Sequence, residues 1–512
     1  MKFKPYNQNQ STLFPHSFDE LIPAHHPVRV INSVVEKINI QPLLEAYSKE
    51  GNPGYHPKML LKVMIYSYMT NVYSSRKIEL ALRENINFMW LTATTFVDHN
   101  TVNRFRSDKL KSSFKDIFKQ VVLMLADEKL ISLKQINTDG TKIEAQAGRY
   151  TFVWGKAIQT NKAKMLSQLE ELWNYAQSID NEDGPENDPP EFKEISKEVI
   201  EKTVSRIDQK LSGNTNASKK SKAKLNYIKK NFVSNLEKYD QQQAILGQRN
   251  SYSKTDTDAT FMRMKEDHMK NGQLKPAYNP QISTENQIII HYTIHQNPTD
   301  TKTLKPHLQS MKELYGKHIY RKIKEITADA GYGSEENYDF LKREKKTAFV
   351  KYNTFDKEQD KNYQKKHKSF SKENLHYNKE GDYYVCPMGQ KMNKTHQSKR
   401  VTEAGYEQNL SHYQAQNCLG CPIRGLCHQA KGNRSIERNH NLERHKEKTR
   451  ELLLSEKGLQ KRKQRSADVE PVFAHLKHNN NFKRFTLKGL EKVELEFGLM
   501  ALAHNLRKKI AA

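Results

Sequence analysis

The sequence predicts an α/β protein (α+β overall) with a mixed sheet flanked by helices, a helical N-terminal domain, a helical insertion and a small cysteine-containing subdomain. Helical spacing of apolar residues dominates the first 125 residues. Between about residues 131 and 350, β-rich runs alternate with helical ones, which indicates a sheet covered by helices. The length of 512 residues is enough for about two to four domains.

Composition narrows the classes of function. Lysine and arginine total 85 against 59 aspartates and glutamates, a formal charge of +26. This charge favours a polyanionic partner, nucleic acid first, and a merely soluble basic protein is the alternative. No apolar run approaches the roughly 18–20 residues of a membrane helix, and no apolar signal region follows Met1. Four cysteines are too few for a disulfide-bonded secreted protein of this size. We therefore expect a soluble, intracellular protein without a membrane partner.

Residues 1–125 are predicted to form the helical N-terminal domain. Near its end, Asp98 is placed to cap a short helix. The exposed face of that helix would carry four polar or basic residues, Asn100, Asn103, Arg104 and Arg106. A short helix, a turn and a polar second helix suit a helix-turn-helix reader of DNA, whereas a capped surface helix without a ligand is the alternative.

Residues 126–355 and 445–512 are predicted to form the sheet-containing domain. One strand ends near Asp139, a hairpin turns at residues 283–286, and a later strand ends at Asp329. The domain closes with an amphipathic C-terminal helix, whose apolar positions are Leu499, Leu502, Ala503 and Leu506.

Two segments interrupt this domain. Residues 158–250 are predicted to form a three-helix insertion, with an acidic, unordered loop at residues 180–190. Residues 356–444 form a basic, cysteine-containing insertion.

Three acidic residues are candidates for a metal centre. Asp139 and Asp329 each end a predicted strand, and Glu470 lies in a later helical stretch. Carboxylates from separate elements can hold two Mg²⁺ ions, which phosphoryl transfer uses to activate the attacking oxygen and stabilise the leaving one. Each residue also has a structural alternative: a hairpin turn at Asp139, an Asx turn at Asp329, and a first-turn helix position for Glu470 behind an Asp468 cap.

Basic residues surround Glu470. Lys477 follows it by two helical turns, so the two side chains are expected to share a face. Arg462, Lys463 and Arg465 lie just upstream. Cations beside a metal-binding carboxylate suit a site that grips the DNA backbone through its phosphates.

Several stretches resemble the bacterial insertion-sequence transposases of the DDE class. The main ones are Asn137–Ala145, Ala328–Ser334 and Val469–Phe473 with Lys477, supported by Asp256–Lys265, Asp98–Arg106 and Ala501–Leu506, all in the family's order. The stretch 456–469 lacks the tyrosine that relatives often carry, and the arginine ahead of Glu470 is either Arg462 or Arg465.

The resemblance implies an RNase H-like catalytic domain behind an N-terminal DNA-binding region. It implies that Asp139, Asp329 and Glu470 are catalytic and hold two Mg²⁺, for which Mn²⁺ could substitute. It further implies cleavage at the element's ends and in-line transfer of the freed 3′-hydroxyl to target DNA, with Lys477, Arg465 and Arg462 contacting DNA.

The implied partner is double-stranded DNA, as terminal inverted repeats and as target, bound by a homodimer in the bacterial cytoplasm at the nucleoid. Two alternatives remain open: a catalytically inactive, sequence-specific DNA-binding relative, and a metal-dependent nuclease that lacks strand transfer.

The four cysteines suggest a separate site. Cys418 and Cys421 form a Cys-x₂-Cys pair, and Cys386 and Cys427 flank it. Four thiolates could close a tetrahedral, structural Zn²⁺ site, with His412 and His428 as substitutes. Four reduced cysteines without a metal are the alternative.

Overall fold

The computed structural model describes residues 16–47, 53–179, 194–212, 217–264, 272–360 and 370–512, together with residues 8 and 192. The expected acidic loop at residues 180–190 lies outside the described residues. The helices are α1 (Phe18–Leu21), α2 (Pro27–Lys37), α3 (Gln41–Leu44), α4 (Pro57–Met69), α5 (Ser75–Glu84), α6 (Ile86–Leu91), α7 (His99–Arg104), α8 (Phe114–Asp127), α9 (Gly155–Ile179), α10 (Lys197–Ser212), α11 (Lys219–Leu246), α12 (Leu304–Lys322), α13 (Glu335–Arg343), α14 (Phe355–Gln359), α15 (Arg424–Cys427), α16 (His440–Leu454), α17 (Glu456–Ala474) and α18 (Leu490–Ala511).

The strands form three sheets. They are β1 (Gln135–Gly140), β2 (Ile143–Glu144), β3 (Phe152–Trp154), β4 (Ser251–Ser253), β5 (Thr260–Arg263), β6 (Leu274–Glu285), β7 (Ile288–His295), β8 (Glu325–Ala328), β9 (Thr347–Val350), β10 (His376–Asn378), β11 (Tyr383–Val385), β12 (Lys391–Val401), β13 (Glu407–Ala415) and β14 (Ser435–Arg438). Short 3₁₀ turns span Asp300–Lys302, Ala330–Tyr332 and Lys372–Asn374, and π-helical turns span Phe105–Lys109 and His475–Asn479.

The central sheet is mixed and carries the predicted site. Its order is β2-β6-β1-β8-β9, and β5 and β7 also pair with β6. Strand β1 is antiparallel to β6 and parallel to β8, and β8 is parallel to β9. This mixed sheet with flanking helices and a helical N-terminal region confirms the predicted fold class and is consistent with the RNase H-like domain that the resemblance implied.

The C-terminal helix is central rather than amphipathic, so the expectation of one apolar face is wrong. Every residue from Leu495 to Leu506 of α18 is buried, because α2, α4 and α8 pack on one side and β7 on the other. The Asn505 amide holds the backbone of Ile289 on β7 through two hydrogen bonds of 2.8 and 2.7 Å. A side chain at Gly498 would overlap the Tyr292 hydroxyl, so glycine permits the close approach of helix and strand.

One continuous core joins the N-terminal helices to the central sheet. Val35 of α2, Leu61 of α4 and Phe118 of α8 belong to the same cluster of buried apolar residues as Ile289 of β7 and Leu502 of α18. The predicted regions 1–125 and 126–355 therefore share apolar packing, and the boundary between them stays a prediction.

The two insertions each have a smaller core. Helices α9, α10 and α11 enclose residues such as Trp173, Ile207 and Phe232, so three helices are present as expected, and the bounds 158–250 of the insertion stay a prediction. Strands β10 to β14 form an antiparallel sheet around Tyr384 and Tyr413. None of the described helices is long and apolar enough to cross a membrane.

Buried histidines line the interior between β7 and α12. His291 and His307 have ring centres 4.9 Å apart. The ring of His307 is held by the Ser283 hydroxyl at 2.9 Å and the Thr293 hydroxyl at 2.7 Å. Both ring nitrogens of His291, by contrast, have no hydrogen-bond partner among the described residues. Burial, with Lys115 and His295 nearby, lowers the pKa of His291 to about 3.

We expect this histidine to make the fold acid-sensitive. The unfolded chain takes up a proton on His291 near pH 6.5, whereas the folded chain does not until about pH 3. Stability should therefore be complete above pH 6.5 and fall as the pH drops toward 4, by up to about 1.4 kcal/mol per pH unit for one proton. His291→Phe removes the contribution of this residue to the slope and breaks no hydrogen bond.

Denaturant unfolding measured between pH 4 and pH 7 tests this expectation. The exposed His318→Phe variant is the matched control and should keep the wild-type slope. An unchanged slope in His291→Phe would mean that His291 is protonated in the folded protein.

Candidate functional site: two strand-end aspartates and a crossing helix

The two predicted aspartates leave the central sheet at the same edge. Strands β1 and β8 are parallel neighbours, and Thr138 of β1 lies opposite Ala328 of β8. Asp139 and Asp329, the residues that follow this pair, therefore lie side by side at the carboxyl ends of the two strands.

Each aspartate is oriented by a backbone N–H. The Asp139 Oδ1 atom accepts a 2.8 Å hydrogen bond from the N–H of Gly140, and the Asp329 Oδ1 atom accepts one of 2.8 Å from the N–H of Gly331. The Asx turn that was the structural alternative for Asp329 is thus present. The hairpin turn that was the alternative for Asp139 is not formed, because Asp139 lies within β1, opposite Ile282. In both residues Oδ2 is left to face other partners.

Arg465 of α17 bridges the two carboxylates. Its Nη2 atom lies 2.8 Å from Asp139 Oδ2 and 3.9 Å from Asp329 Oδ2. The two carboxylate oxygens are therefore no farther apart than the sum of these distances. The side chains of Asp139 and Arg465 are each only 15% exposed, so the pair is shielded from bulk water. The arrangement gathers two hard oxygen ligands around one positive charge.

A buried polar network supports this edge of the sheet. The hydroxyl of Tyr332, which follows Asp329, donates to the side-chain carbonyl of Gln281. The Gln281 amide donates in turn to Asn279 at 3.0 Å and to Asp300 at 3.2 Å. Burial, together with the negative charges of Asp139, Asp300 and Asp329, keeps the pKa of Tyr332 well above its usual range.

Asp300 was missed by sequence reasoning. Its carboxylate accepts hydrogen bonds from Asn279 at 2.9 Å and from Gln281 at 3.2 Å. The only signal was the alternation of polar residues Asn279 and Gln281 along β6, which placed two amides on the same face.

Helix α17 crosses the sheet and is fixed to it at several points. Lys457 and Lys461 both contact Glu325 at the start of β8. Farther along, the buried Asp468 accepts hydrogen bonds from the amide of Asn137, the hydroxyl of Thr284 and the backbone N–H of Gln287. Burial raises the pKa of Asp468 in spite of these three donors.

Asp468 is consequently an anchor and not the helix cap considered from the sequence. Helix α17 begins at Glu456, capped by Ser455, so Asp468, Glu470 and Pro471 lie within its second half. The first-turn alternative for Glu470 is wrong for the same reason.

Glu470 lies on the exposed side of α17. Its Oε1 atom accepts a 2.7 Å hydrogen bond from the Ser466 hydroxyl one turn earlier. Within the described residues, no group of three or more histidines, cysteines or acids is arranged to hold a metal ion. The structure thus brings Asp139, Asp329 and Arg465 together, and the participation of Glu470 stays a prediction.

Lys477 and Glu470 do not share the expected face. The α-helix ends at Ala474 and continues as the π-helical turn His475–Asn479, which changes the rotation per residue. Lys477 is buried as a result, whereas Glu470 is exposed. The guanidinium of Arg462 lies over the ring of Phe355, 5.2 Å from the ring centre.

Two family models match the chain. The model described as a transposase DDE domain matches residues 385–510, and the model described as a transposase domain, DUF772, matches residues 16–108. Both models describe transposase domains, and together they support an insertion-sequence transposase of the DDE class. Comparisons with curated proteins and with solved structures found no match. The family indicates a DNA transposase, an enzyme that binds DNA.

The matched ranges cover different parts of the predicted machinery of this transposase. The DDE model spans Glu470 and Lys477 but neither strand-end aspartate. The assignment of Asp139 and Asp329 to the site therefore rests on their geometry in the sheet and on the sequence resemblance. The N-terminal model spans the stretch Asp98–Arg106 that was predicted to contact DNA.

The N-terminal stretch of the transposase is capped as predicted. Asp98 Oδ1 accepts hydrogen bonds from the backbone N–H groups of Asn100 and Thr101 at 2.9 and 3.1 Å. Asn100, Asn103 and Arg104 are exposed, and their contact with DNA stays a prediction.

Arg106 is buried, so its expected place on the exposed face is wrong. The π-helical turn at Phe105–Lys109 rotates it inward, where its guanidinium donates to the carbonyl of Tyr73 at 2.8 Å and to the hydroxyl of Tyr68 at 3.3 Å. Arg106 holds the N-terminal helices together.

The four cysteines form no disulfide and lie in the small five-stranded subdomain. Cys418 Sγ accepts from the backbone N–H of Arg434 at 3.3 Å, and Cys427 Sγ lies 2.8 Å from the Arg434 guanidinium. Both ring nitrogens of His428 are buried without a hydrogen-bond partner among the described residues. The zinc site over Cys386, Cys418, Cys421 and Cys427 stays a prediction, and the zinc content of the purified protein decides between it and four reduced thiols.

Proposed function

We propose that this transposase cuts DNA at the ends of an insertion sequence and joins the freed 3′-hydroxyl to target DNA. The observation that carries the proposal is the convergence of the Asp139 and Asp329 Oδ2 atoms on one cationic nitrogen. Two carboxylates that tolerate a guanidinium between them also suit a divalent cation, since both arrangements place positive charge beside hard oxygens.

The residues present fit a magnesium centre. Asp139 and Asp329 would hold Mg²⁺, and Glu470 would complete the ligand set after a change in its side-chain position. Bound Mg²⁺ would lower the pKa of an attacking water and stabilise the leaving oxygen. Asp468, Lys457 and Lys461 position the helix that carries Glu470 across β1 and β8.

Two arginines of α17 would orient the DNA. Arg465 can turn from the carboxylates to a phosphate when a metal ion replaces its charge, and Arg462 lies on the same helix. The transposase would act on double-stranded terminal repeats and target DNA as a homodimer, since transposition holds two ends together, in the bacterial cytoplasm at the nucleoid.

Incubation of the full-length protein with terminal-repeat DNA and Mg²⁺ tests the proposal. We expect cut ends bearing 3′-hydroxyls and, with target DNA present, joined products. Cut ends without joined products would indicate a nuclease without strand transfer. Binding without cleavage, in Mg²⁺ and in Mn²⁺, would indicate an inactive DNA-binding relative.

Arg465 should compete with the metal ion. Arg465→Gln removes the positive charge from between the two aspartates, so we expect Mn²⁺ to bind about tenfold more tightly in the absence of DNA, equivalent to about 1.4 kcal/mol of removed charge repulsion. Electron paramagnetic resonance of free Mn²⁺ measures this affinity directly.

Arg462→Gln is the matched control, because it removes an equal charge from the same helix, where the guanidinium lies against Phe355. It should leave the Mn²⁺ affinity near the wild-type value. Equal affinities in the wild type and Arg465→Gln would contradict a shared position for the guanidinium and the metal.

A further inference from the structure

A basic pocket lies at the opposite edge of the sheet from the aspartates. Lys324 precedes β8 and Lys346 precedes β9, so the pocket faces the amino ends of these two strands. Asp329 follows the other end of β8, five residues from Lys324. At about 3.3 Å per residue, the pocket lies roughly 16 Å from the carboxylate pair and is separate from it. We call it the far-edge pocket.

The far-edge pocket is strongly positive. Seven lysine and arginine side chains and one carboxylate, that of Glu344, line a volume of about 640 Å³. Glu344 is already neutralised by Lys312, whose ammonium donates to both its oxygens at 2.8 and 2.9 Å. The exposed Lys317, Arg321 and Lys345 form no ion pair within the described residues.

Helix ends explain only part of this charge. Helices α12 and α13 both finish beside the pocket, and cations in their last turns favour the negative ends of the helix dipoles. That effect accounts for Arg321 and Arg343. It does not account for Lys324 and Lys345, which lie beyond the ends of the helices.

The backbone of the pocket is shaped to group these cations. Gly316 interrupts α12 with a φ of 74°, a left-handed conformation that glycine adopts without strain. The chain after it restarts as a helical segment in which Lys317 and Arg321 are four residues apart and so share one face. Lys345 also has a positive φ, 55°, just after the end of α13.

The floor of the pocket is rigid. The buried Lys346 donates hydrogen bonds of 2.6 Å to the carbonyls of Tyr320 and Ile323, and its ammonium lies 4.0 Å from the centre of the Tyr320 ring. The Tyr320 hydroxyl is buried and has no hydrogen-bond partner among the described residues. Because the Tyr320 ring is covered, it offers no surface on which a base could stack.

We propose that the far-edge pocket binds the sugar-phosphate backbone of duplex DNA at a place separate from the carboxylate centre. The proposal rests on the proposed function, because the ligand is the DNA on which the transposase acts. Unpaired lysines and an arginine suit phosphates. The absence of an exposed aromatic ring among the lining residues favours a duplex over a single strand.

The experiment compares two triple variants of the full-length protein. K317A/R321A/K345A empties the pocket of its exposed cations, and K219A/K220A/K222A removes three exposed lysines at the start of α11. Binding to a short fluorescent duplex is measured without metal over a series of NaCl concentrations. We expect the pocket variant to bind at least about tenfold more weakly, with a salt slope smaller by about 2 to 3, and the control to change much less.

Each outcome bears on the proposal. An equal loss of affinity in both triple variants overturns the proposal, because net charge would then explain the binding. No loss in the pocket variant also overturns it, because the pocket would then not contribute to binding. Inorganic tripolyphosphate is the second probe: if only the pocket triple loses its thermal stabilisation while DNA affinity is unchanged, the pocket binds a small polyanion instead. Lys345→Glu repeats the test if the triple variant unfolds. Because binding is measured without Mg²⁺, the result does not depend on whether the protein cleaves DNA.

Discussion

Asp139→Asn is expected to lower metal-dependent DNA cleavage by about a thousandfold or more. The substitution keeps the size of the side chain and the acceptor for the Gly140 N–H, but it removes the charge that faces Arg465 and would face a metal ion. A metal ion contributes several kcal/mol to the stabilisation of a phosphoryl-transfer transition state, and about 1.4 kcal/mol corresponds to a factor of ten in rate. Cleavage of labelled terminal-repeat DNA gives the rate.

DNA binding should survive this change, because the cations proposed to contact phosphates are untouched. Asp116→Asn, at a half-exposed position on α8, is the control and should cleave at the wild-type rate. If Asp139→Asn cut DNA within a few-fold of the wild type, the strand-end aspartate would be a structural turn residue only.

Asp468→Ala is expected to destabilise the folded transposase by about 3–5 kcal/mol. The substitution leaves the amide of Asn137, the hydroxyl of Thr284 and the backbone N–H of Gln287 without their buried acceptor. Helix α17 should also loosen from β1, so cleavage is expected to fall together with stability. Denaturant unfolding followed by circular dichroism measures the first effect.

Asp240→Ala is the matched control, because its carboxylate is exposed and forms a surface ion pair with Lys162 at 2.6 Å. It should change the unfolding free energy by less than about 1 kcal/mol. A similarly small effect for Asp468→Ala would mean that water replaces the carboxylate and that Asp468 does not anchor the helix.

The strand-end aspartates could be predicted from the sequence because their signals are local. A β-rich run that ends in an acid needs no knowledge of the rest of the fold, and parallel neighbours bring such ends together. Asp139 and Asp329 meet in the structure for that reason. The hairpin of β6 and β7 and the three-helix insertion follow equally local patterns.

Arg465 and Asp468 could not be assigned in the same way. Their roles depend on how α17 crosses the sheet, and the partners of Asp468 lie more than 180 residues away along the chain. The sequence around them shows only a basic run, Lys461–Arg465, and then a mixed stretch of acidic and apolar residues. Long-range contacts of this kind leave no periodic signal.

Two further errors arose from helix geometry. Arg106 and Lys477 both lie in π-helical turns, and the inserted residue turns each side chain into the protein. A third error, the prediction of an amphipathic C-terminal helix, could have been avoided from the sequence. The stretch Phe497–Leu506 of α18 is apolar on all sides, apart from His504 and Asn505, which is typical of a central helix.

The position of α18 has a consequence for how the chain matures on the ribosome. Helix α4, against which α18 packs, is made more than 400 residues earlier. At a translation rate of roughly 5–20 residues per second, α18 is synthesised roughly 20–80 s after the early helices, whose core it completes. During that interval their apolar faces are exposed to chaperones and to self-association. A transcript truncated before residue 490 would yield a chain that lacks its central helix.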